Sequence, residues 1–159
     1  MKKIIVFFMT FILMHISLYA DDYMRIKVEN TEIDVPVAWF AQYTKQPQVF
    51  FLYSPLDEND VFQENCNLMK EPLPGKYSLK DYMDASINAV KGVYTELVIE
   101  ETGKNYYIFS GIVSNIRVKQ IQYYYIKGNT AYILTFTATP ESFSNYSAVF
   151  KKIADSFKF

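Results

Sequence analysis

The segment VKQIQYYYIKGNTAYILTFTA, residues 118–138, decides the fold. Its two halves are rich in tyrosine, isoleucine and threonine, which favour β-strands. They meet at Gly128-Asn129, a two-residue hairpin signal, so we predict antiparallel strands over 118–127 and 131–138. Side chains alternate between the faces of a strand, and apolar side chains here occupy both: Ile121, Tyr123 and Tyr125 on one, Tyr124 and Ile126 on the other. We therefore predict a sheet that is covered on both faces.

Helices and further strands surround this hairpin. Ser78, followed three residues later by Asp81, is a helix-capping signature, and apolar residues at helical spacing continue to Tyr94. Thr139-Pro140 is predicted to start a second helix. Turn signals separate the remaining strands, which are predicted over 23–28, 32–35, 49–53, 64–70, 96–101 and 106–113. These elements predict one α+β domain over residues 21–159, with a central antiparallel sheet of about six or seven strands flanked by helices.

Residues 1–20 have the pattern of a secretory signal peptide. Two lysines precede an apolar run over residues 4–18, and Ala20 precedes the acidic pair Asp21-Asp22. This order predicts cleavage after Ala20 and a periplasmic or secreted protein. The alternative is an uncleaved anchor. The apolar run is short for a membrane span, which takes about 20 apolar residues, so we expect no stable span after removal of the leader.

The composition of the mature chain disfavours several classes of function. The only histidine, His15, lies in the leader. Without Lys2 and Lys3, the 16 basic residues become 14 against 17 acidic ones, a net charge of −3. This balance disfavours nucleic acid, because phosphate neutralisation supplies most of the affinity of such complexes. Cys66 is the only cysteine, which leaves no intrachain disulfide, and we interpret it as a small buried hydrophobe rather than a reactive thiol.

Carboxylates offer two further candidate sites. Glu100 and Glu101 are adjacent on a predicted strand, so their side chains point to opposite faces, and we interpret them as solvated edge charges rather than a hydrolase pair. A calcium loop over 57–64 would need Asp or Asn at position 61 and Gly at 62, where the chain has Val61 and Phe62. No Gly-x-Ser-x-Gly or Ser-x-x-Lys motif occurs. We therefore predict no catalytic residue, no metal ligand and no cofactor.

Aromatic residues are unusually abundant, with 14 Tyr, 13 Phe and one Trp. Several lie on strands that we expect to be neighbours, where aromatic side chains are typical of a core. Tyrosine is also enriched on surfaces that must be both apolar and wet, so a binding face is the second interpretation. Its candidate residues are Trp39, Tyr106, Tyr107, Tyr123, Tyr124 and Tyr125.

The order of elements resembles that of the PsbP-like and DcrB-like exported proteins, over roughly residues 33–159. The residues that carry the resemblance are Val35-Pro36-Val37-Ala38-Trp39, Glu64-Asn65-Cys66-Asn67-Leu68, Ser78-Leu79-Lys80-Asp81-Tyr82 and Asp155-Ser156-Phe157. Cys66 stands where the family commonly has an aliphatic residue, and Ala38 where it often has glycine. The resemblance implies a central antiparallel sheet between helices and a non-catalytic accessory role at membrane-associated complexes. It implies no particular functional residue.

Three functions follow from these observations. The favoured one is a non-catalytic periplasmic accessory or binding protein that docks to an envelope protein or complex. The alternative is a carrier or sensor of an apolar small ligand held between sheet and helix. A hydrolase with an unfamiliar carboxylate site is the third. The sequence names neither the partner nor the ligand, and it sets no oligomeric state.

Overall fold

The computed structural model describes residues 22–45, 47–56, 58 and 60–159, and the predicted leader lies outside this part of the chain. The described residues form nine strands and two helices. In chain order these are β1 (Tyr23–Val28), β2 (Thr31–Pro36), β3 (Phe40–Tyr43), β4 (Gln48–Tyr53), β5 (Asn65–Pro72), α1 (Leu79–Lys91), β6 (Thr95–Thr102), β7 (Tyr106–Val113), β8 (Ile116–Lys127), β9 (Thr130–Ala138) and α2 (Phe143–Ser156).

Seven of the strands form the central antiparallel sheet, in the order β3-β4-β5-β9-β8-β7-β6. The predicted α+β class, antiparallel sheet and strand number are confirmed. β1 and β2 form a separate two-stranded sheet and are not part of the central one. The backbone of Glu32 in β2 pairs with that of Lys158, at 2.9 Å in both directions, which ties this small sheet to the end of the chain.

The β8–β9 hairpin has the predicted register. Lys127 lies opposite Thr130, and Gly128-Asn129 forms the turn. Gly128 has a φ of 61°, in the left-handed region that glycine adopts without steric cost. Gly128 has a positive φ and Asn129 does not, which is the pattern of a type II′ turn, whose twist matches that of the flanking strands.

The two helices differ in how closely they follow the prediction. The Ser78 hydroxyl accepts a hydrogen bond from the Asp81 backbone N–H at 3.1 Å, as the capping signature predicts, and α1 ends at Lys91 rather than at Tyr94. The second helix begins at Phe143, so the predicted start at Thr139-Pro140 is wrong. The cause is a local turn over residues 140–142, in which the Thr139 hydroxyl accepts the Ser142 N–H at 3.2 Å.

The sequence did not predict β3, the strand at one edge of the central sheet. A turn precedes it, with the Trp39 N–H donating to the Pro36 carbonyl at 2.9 Å. β3 contains four residues, with Phe40 opposite Tyr53 and Tyr43 opposite Phe50. Its addition places exposed side chains beside the aromatic residues of β4.

Candidate functional site

One face of the central sheet is covered across β4, β5, β9 and much of β8. Its side chains pack against α2, the β1–β2 sheet and the Trp39 ring, which contacts the rings of Tyr146 and Phe150 edge-on at 6.3 and 6.4 Å. The buried residues of the strands on this side include Phe50, Leu52, Cys66, Leu68, Leu134 and Phe136. This continuous apolar layer is the main core of the protein.

The opposite face is covered only in part. Tyr82, Met83 and Ile87 of α1 pack on the β7–β9 region, where they bury the side chains of Tyr107, Phe109, Tyr124, Ala131 and Ile133. The prediction of cover on both faces is confirmed for these strands. It is wrong for β3–β5, because on this side their Phe40, Gln42, Phe51, Tyr53, Asn65 and Asn67 side chains are exposed or half-buried and belong to neither core.

A groove of about 350 Å³ runs between α1 and the uncovered part of this face. Val90 near the end of α1 and Val93 just after it form one wall, while Asn67, Thr135 and Gln122 form the floor on three adjacent strands. The groove lies between sheet and helix, the place that the sequence assigned to an apolar ligand. Its amide and hydroxyl floor is suited to a ligand with hydrogen-bonding groups of its own, since an apolar one would leave them unpaired.

A second exposed surface lies where β3 begins and β4 ends. Phe40 is 65% exposed, and Val37 beside it is 55% exposed. The loop from β4 to β5 adds Leu56 and Val61, which are 58% and 99% exposed. We call these four residues the apolar loop end. Exposed apolar groups at one end of a molecule are typical of a protein interaction site.

A buried carboxylate anchors this loop. The Glu64 side chain, 4% exposed, accepts hydrogen bonds from the Ser142 hydroxyl at 2.6 Å and the Ser54 hydroxyl at 3.3 Å. The Glu64 carbonyl accepts the Ser54 N–H at 2.8 Å, which closes the base of the loop. Burial and the nearby Glu64 carboxylate raise the pKa of Tyr146. Both Glu64 oxygens accept hydrogen bonds, so this carboxylate links the start of β5 to Ser54 and Ser142.

The six aromatic candidates for a binding face divide between the two sides of the sheet. Trp39, Tyr106, Tyr123 and Tyr125 lie on the α2 side, whereas Tyr107 and Tyr124 lie under α1. Burial raises the pKa of Tyr123 and of Tyr124 to about 12, which reflects how far these two phenols are removed from water. The structure thus brings the six together as parts of two cores and not as one face.

The remaining candidate residues are buried in the core or bonded to neighbouring side chains. Cys66 is fully buried, and this burial raises the pKa of its thiol, as expected of a small hydrophobe. Glu100 and Glu101 lie on the edge strand β6 and engage different partners, the Lys119 ammonium and the Tyr106 hydroxyl. Burial opposes the ionisation of Glu100, but hydrogen bonds from Lys119 and Ser110 outweigh it and lower its pKa. The calcium loop that the sequence argues against would include positions 57 and 59, which lie outside the described residues.

Sequence reasoning missed the residues of the groove and of the apolar loop end. A signal for the groove was present in Asn65-Cys66-Asn67-Leu68, where polar and apolar residues alternate as on a strand with one solvated face. The apolar loop end gave no such signal. Leu56 and Val61 stand singly in an irregular segment, where exposure depends on how the loop folds back.

Comparison with known proteins identifies the fold. Neither a protein-family model nor a curated protein matches the sequence. Cyanobacterial PsbP (CyanoP) from Synechocystis sp. PCC 6803 matches in structure with a TM-score of 0.56 at 11% identity, over 89% of this chain and 95% of that one. The chain has a PsbP-like fold. The predicted resemblance is confirmed at the level of the fold.

Two further solved structures share this PsbP-like fold. LpqN, described as involved in cell envelope biogenesis of Mycobacterium tuberculosis, gives a TM-score of 0.53 at 11% identity, over 86% of this chain and 90% of that one. The Ran-binding protein Mog1p of Saccharomyces cerevisiae gives a TM-score of 0.56 at 7% identity, over 86% of this chain and 95% of that one. Across the described residues, neither helix has the length and apolar character needed to cross a bilayer.

Proposed function

We propose that this protein is a non-catalytic accessory protein of the cell envelope that docks to a partner protein through the apolar loop end. The observation that carries the proposal is the exposure of Val37, Phe40, Leu56 and Val61 at one end of the molecule. Hydrophobic side chains are rarely left this accessible in a group unless a partner covers them. Phe40 lies opposite Tyr53, the last residue of β4, and so stands beside the start of the segment that carries Leu56 and Val61.

Each exposed apolar side chain contributes a modest free energy to docking. Burying the exposed parts of Phe40 and Val61 stabilises a complex by on the order of 1–3 kcal/mol each, from the usual relation between apolar area and free energy. Aromatic anchors near the centre of an interface carry most of the affinity. Phe40 is suited to this role because its ring is already braced by Tyr53, with ring centroids 6.5 Å apart.

Envelope location rests on the sequence and on the fold. The leader pattern over residues 1–20 favours export. The non-catalytic role is supported separately, because the mature chain lacks the histidine that most transition-metal and triad chemistry uses. Among the proteins with a PsbP-like fold, LpqN is described as acting in envelope biogenesis and Mog1p as binding Ran. Docking to another protein is thus a role found in this fold.

Site-specific crosslinking in intact cells tests the proposal. A photoreactive amino acid at position 61 is expected to give one adduct of discrete mass in the envelope fraction, and Phe40→Ala is expected to reduce its yield several-fold. The matched control is the same group at Val98, which is 55% exposed on the opposite edge of the sheet. Equal adducts from positions 61 and 98, or an adduct indifferent to Phe40→Ala, would show that the apolar loop end is not the docking surface.

A further inference from the structure

The uncovered sheet face carries an aligned set of uncharged side chains. Antiparallel register places Gln42 opposite Phe51, Phe51 opposite Asn67, Asn67 opposite Thr135 and Thr135 opposite Gln122. We call these five residues the amide row. It crosses five neighbouring strands and spans about 19 Å at the usual strand spacing. Its inner end forms the floor of the groove beside α1.

The amide row has free hydrogen-bonding capacity. The Gln122 carbonyl oxygen accepts from the Tyr124 hydroxyl at 2.6 Å, which fixes the orientation of this amide. Within the part of the chain that the structure describes, no hydrogen bond engages the Gln122 amide nitrogen, the Asn67 side chain or the Thr135 hydroxyl. These groups are uncharged, and they therefore offer a ligand hydrogen-bond donors and acceptors but no net charge.

A second row supports the first. Phe40, Tyr53, Asn65, Thr137 and Gln120 align across the same five strands, one pleat further along. Here the side chains of Gln120, Thr137 and Asn65 form hydrogen bonds within the protein. Gln120 donates to Thr137 at 2.8 Å and accepts from Tyr94 at 2.9 Å, and Asn65 donates to the Gln63 carbonyl at 3.0 Å. Internal hydrogen bonds thus hold the amides of the second row in place beside the free groups of the amide row, which favours a preorganised binding surface.

We propose that the groove and the amide row bind a neutral glycan chain. A pyranose ring presents hydroxyl groups at its edge and apolar C–H groups on its faces. Amides and hydroxyls pair with the former, while the Phe51 ring and the Val90 and Val93 side chains contact the latter. None of the described residues that line the groove is charged, which favours a neutral sugar over an anionic one.

Other ligand classes fit this surface less well. A peptide commonly binds a sheet by adding a strand at an edge, but the groove lies over the central strands β5, β9 and β8, whose backbone groups already pair with neighbours. An apolar ligand would leave Asn67 and Gln122 without partners. The proposal goes beyond the docking function and concerns other ligand contacts, because the amide row contains none of the four residues of the apolar loop end.

Nuclear magnetic resonance with uniformly ¹⁵N-labelled mature protein tests the proposal. The probes are three neutral hexasaccharides, namely cellohexaose, chitohexaose and maltohexaose, each at millimolar concentration. We expect at least one to shift the side-chain amide signals of Asn67 and Gln122 in a saturable manner. Asn67→Ala and Gln122→Ala should each raise the dissociation constant by about 2–10-fold, the loss of a single neutral hydrogen bond.

Two further variants keep the test decisive. Ala89→Trp places a large ring in the groove from an exposed position of α1 and should abolish the shifts while the fold is retained. The matched control is Asn145→Ala, an exposed asparagine on α2 at the other face, which should bind as the unaltered protein does. The proposal is overturned if no hexasaccharide shifts the amide row, if Asn67→Ala and Asn145→Ala bind equally, or if an uncharged hexapeptide saturates the row where the sugars do not.

Discussion

Replacing Tyr124 by phenylalanine should change the stability of the protein in opposite directions at neutral and alkaline pH. The Tyr124 ring is fully buried between the rings of Tyr82 and Tyr107, at 6.2 and 6.1 Å. Tyr124→Phe keeps this packing and removes only the hydroxyl, which donates to Gln122 at 2.6 Å and accepts from Ser86 at 3.3 Å. Near pH 8 the variant should therefore be less stable by about 1 kcal/mol, the usual net value of a hydrogen bond.

The alkaline effect follows from the raised pKa of the Tyr124 phenol. Burial raises this pKa from 10.0 in the unfolded chain to about 12 in the folded protein. A raised pKa contributes stability that is complete below pH 10 and is lost as the pH rises towards 12, because only the unfolded chain ionises in that interval. At pH 11 the loss is about 1.4 kcal/mol for this one group, from the two pKa values and the thermal energy. The variant escapes that loss and should equal or exceed the unaltered protein.

Urea unfolding followed by far-ultraviolet circular dichroism at pH 8 and pH 11 measures the difference directly. Tyrosines remote from Tyr124 ionise alike in both proteins, so their contributions cancel in the comparison. Tyr43→Phe is the matched control, since Tyr43 is 58% exposed and its removal should leave the stability within about 0.5 kcal/mol at both pH values. A Tyr124→Phe difference that stays the same at pH 8 and pH 11 would refute the reasoning.

Two further outcomes are expected. Cys66, buried and with a raised pKa, should not react with a thiol-specific reagent in the folded protein and should react fully in urea, whereas modification under native conditions would show that the core opens locally. Arg25 donates to both oxygens of Asp34, at 2.7 and 2.9 Å, and holds the pKa of that carboxyl below 3.8. Arg25→Ala should raise this pKa, as followed by carboxyl carbon chemical shifts. The stability due to the pair should fade in the unaltered protein as the pH falls below 3.8, so an Asp34 titration unchanged by the substitution would contradict the assignment.

Periodic patterns predicted the elements whose contacts are local in sequence. The β8–β9 hairpin depends on Gly128-Asn129 between two strand-forming runs, and α1 depends on the Ser78 cap and an apolar stripe. The hairpin register and the α1 cap are confirmed because the residues that decide them are neighbours along the chain. The predicted start of α2 at Thr139-Pro140 was wrong because a turn over residues 140–142 competes with the helix for the same backbone groups.

The candidate site depends on contacts that are distant in sequence. β5 pairs with β9, and Asn67 and Thr135 are 68 residues apart in the chain, so no local pattern places them side by side. β3 contains only four residues and acquires its role from pairing with β4. Polar residues at Gln42, Asn67 and Gln122 are unremarkable singly, and their alignment emerges only when the strand order is known.

The uncovered face has a simple geometric origin. Seven strands at about 4.8 Å spacing make a sheet roughly 29 Å wide, whereas a helix with its side chains is about 10–12 Å across and covers two to three strands. On one side α2 has help from the β1–β2 sheet and Trp39, but on the other α1 acts alone on the β7–β9 region. The remaining strands must meet water there, which explains why β5 alternates Asn65 and Asn67 with the buried Cys66 and Leu68. Too few elements cover this face, and uncharged polar groups line it. A ligand can therefore bind there without disturbing the packing of the core.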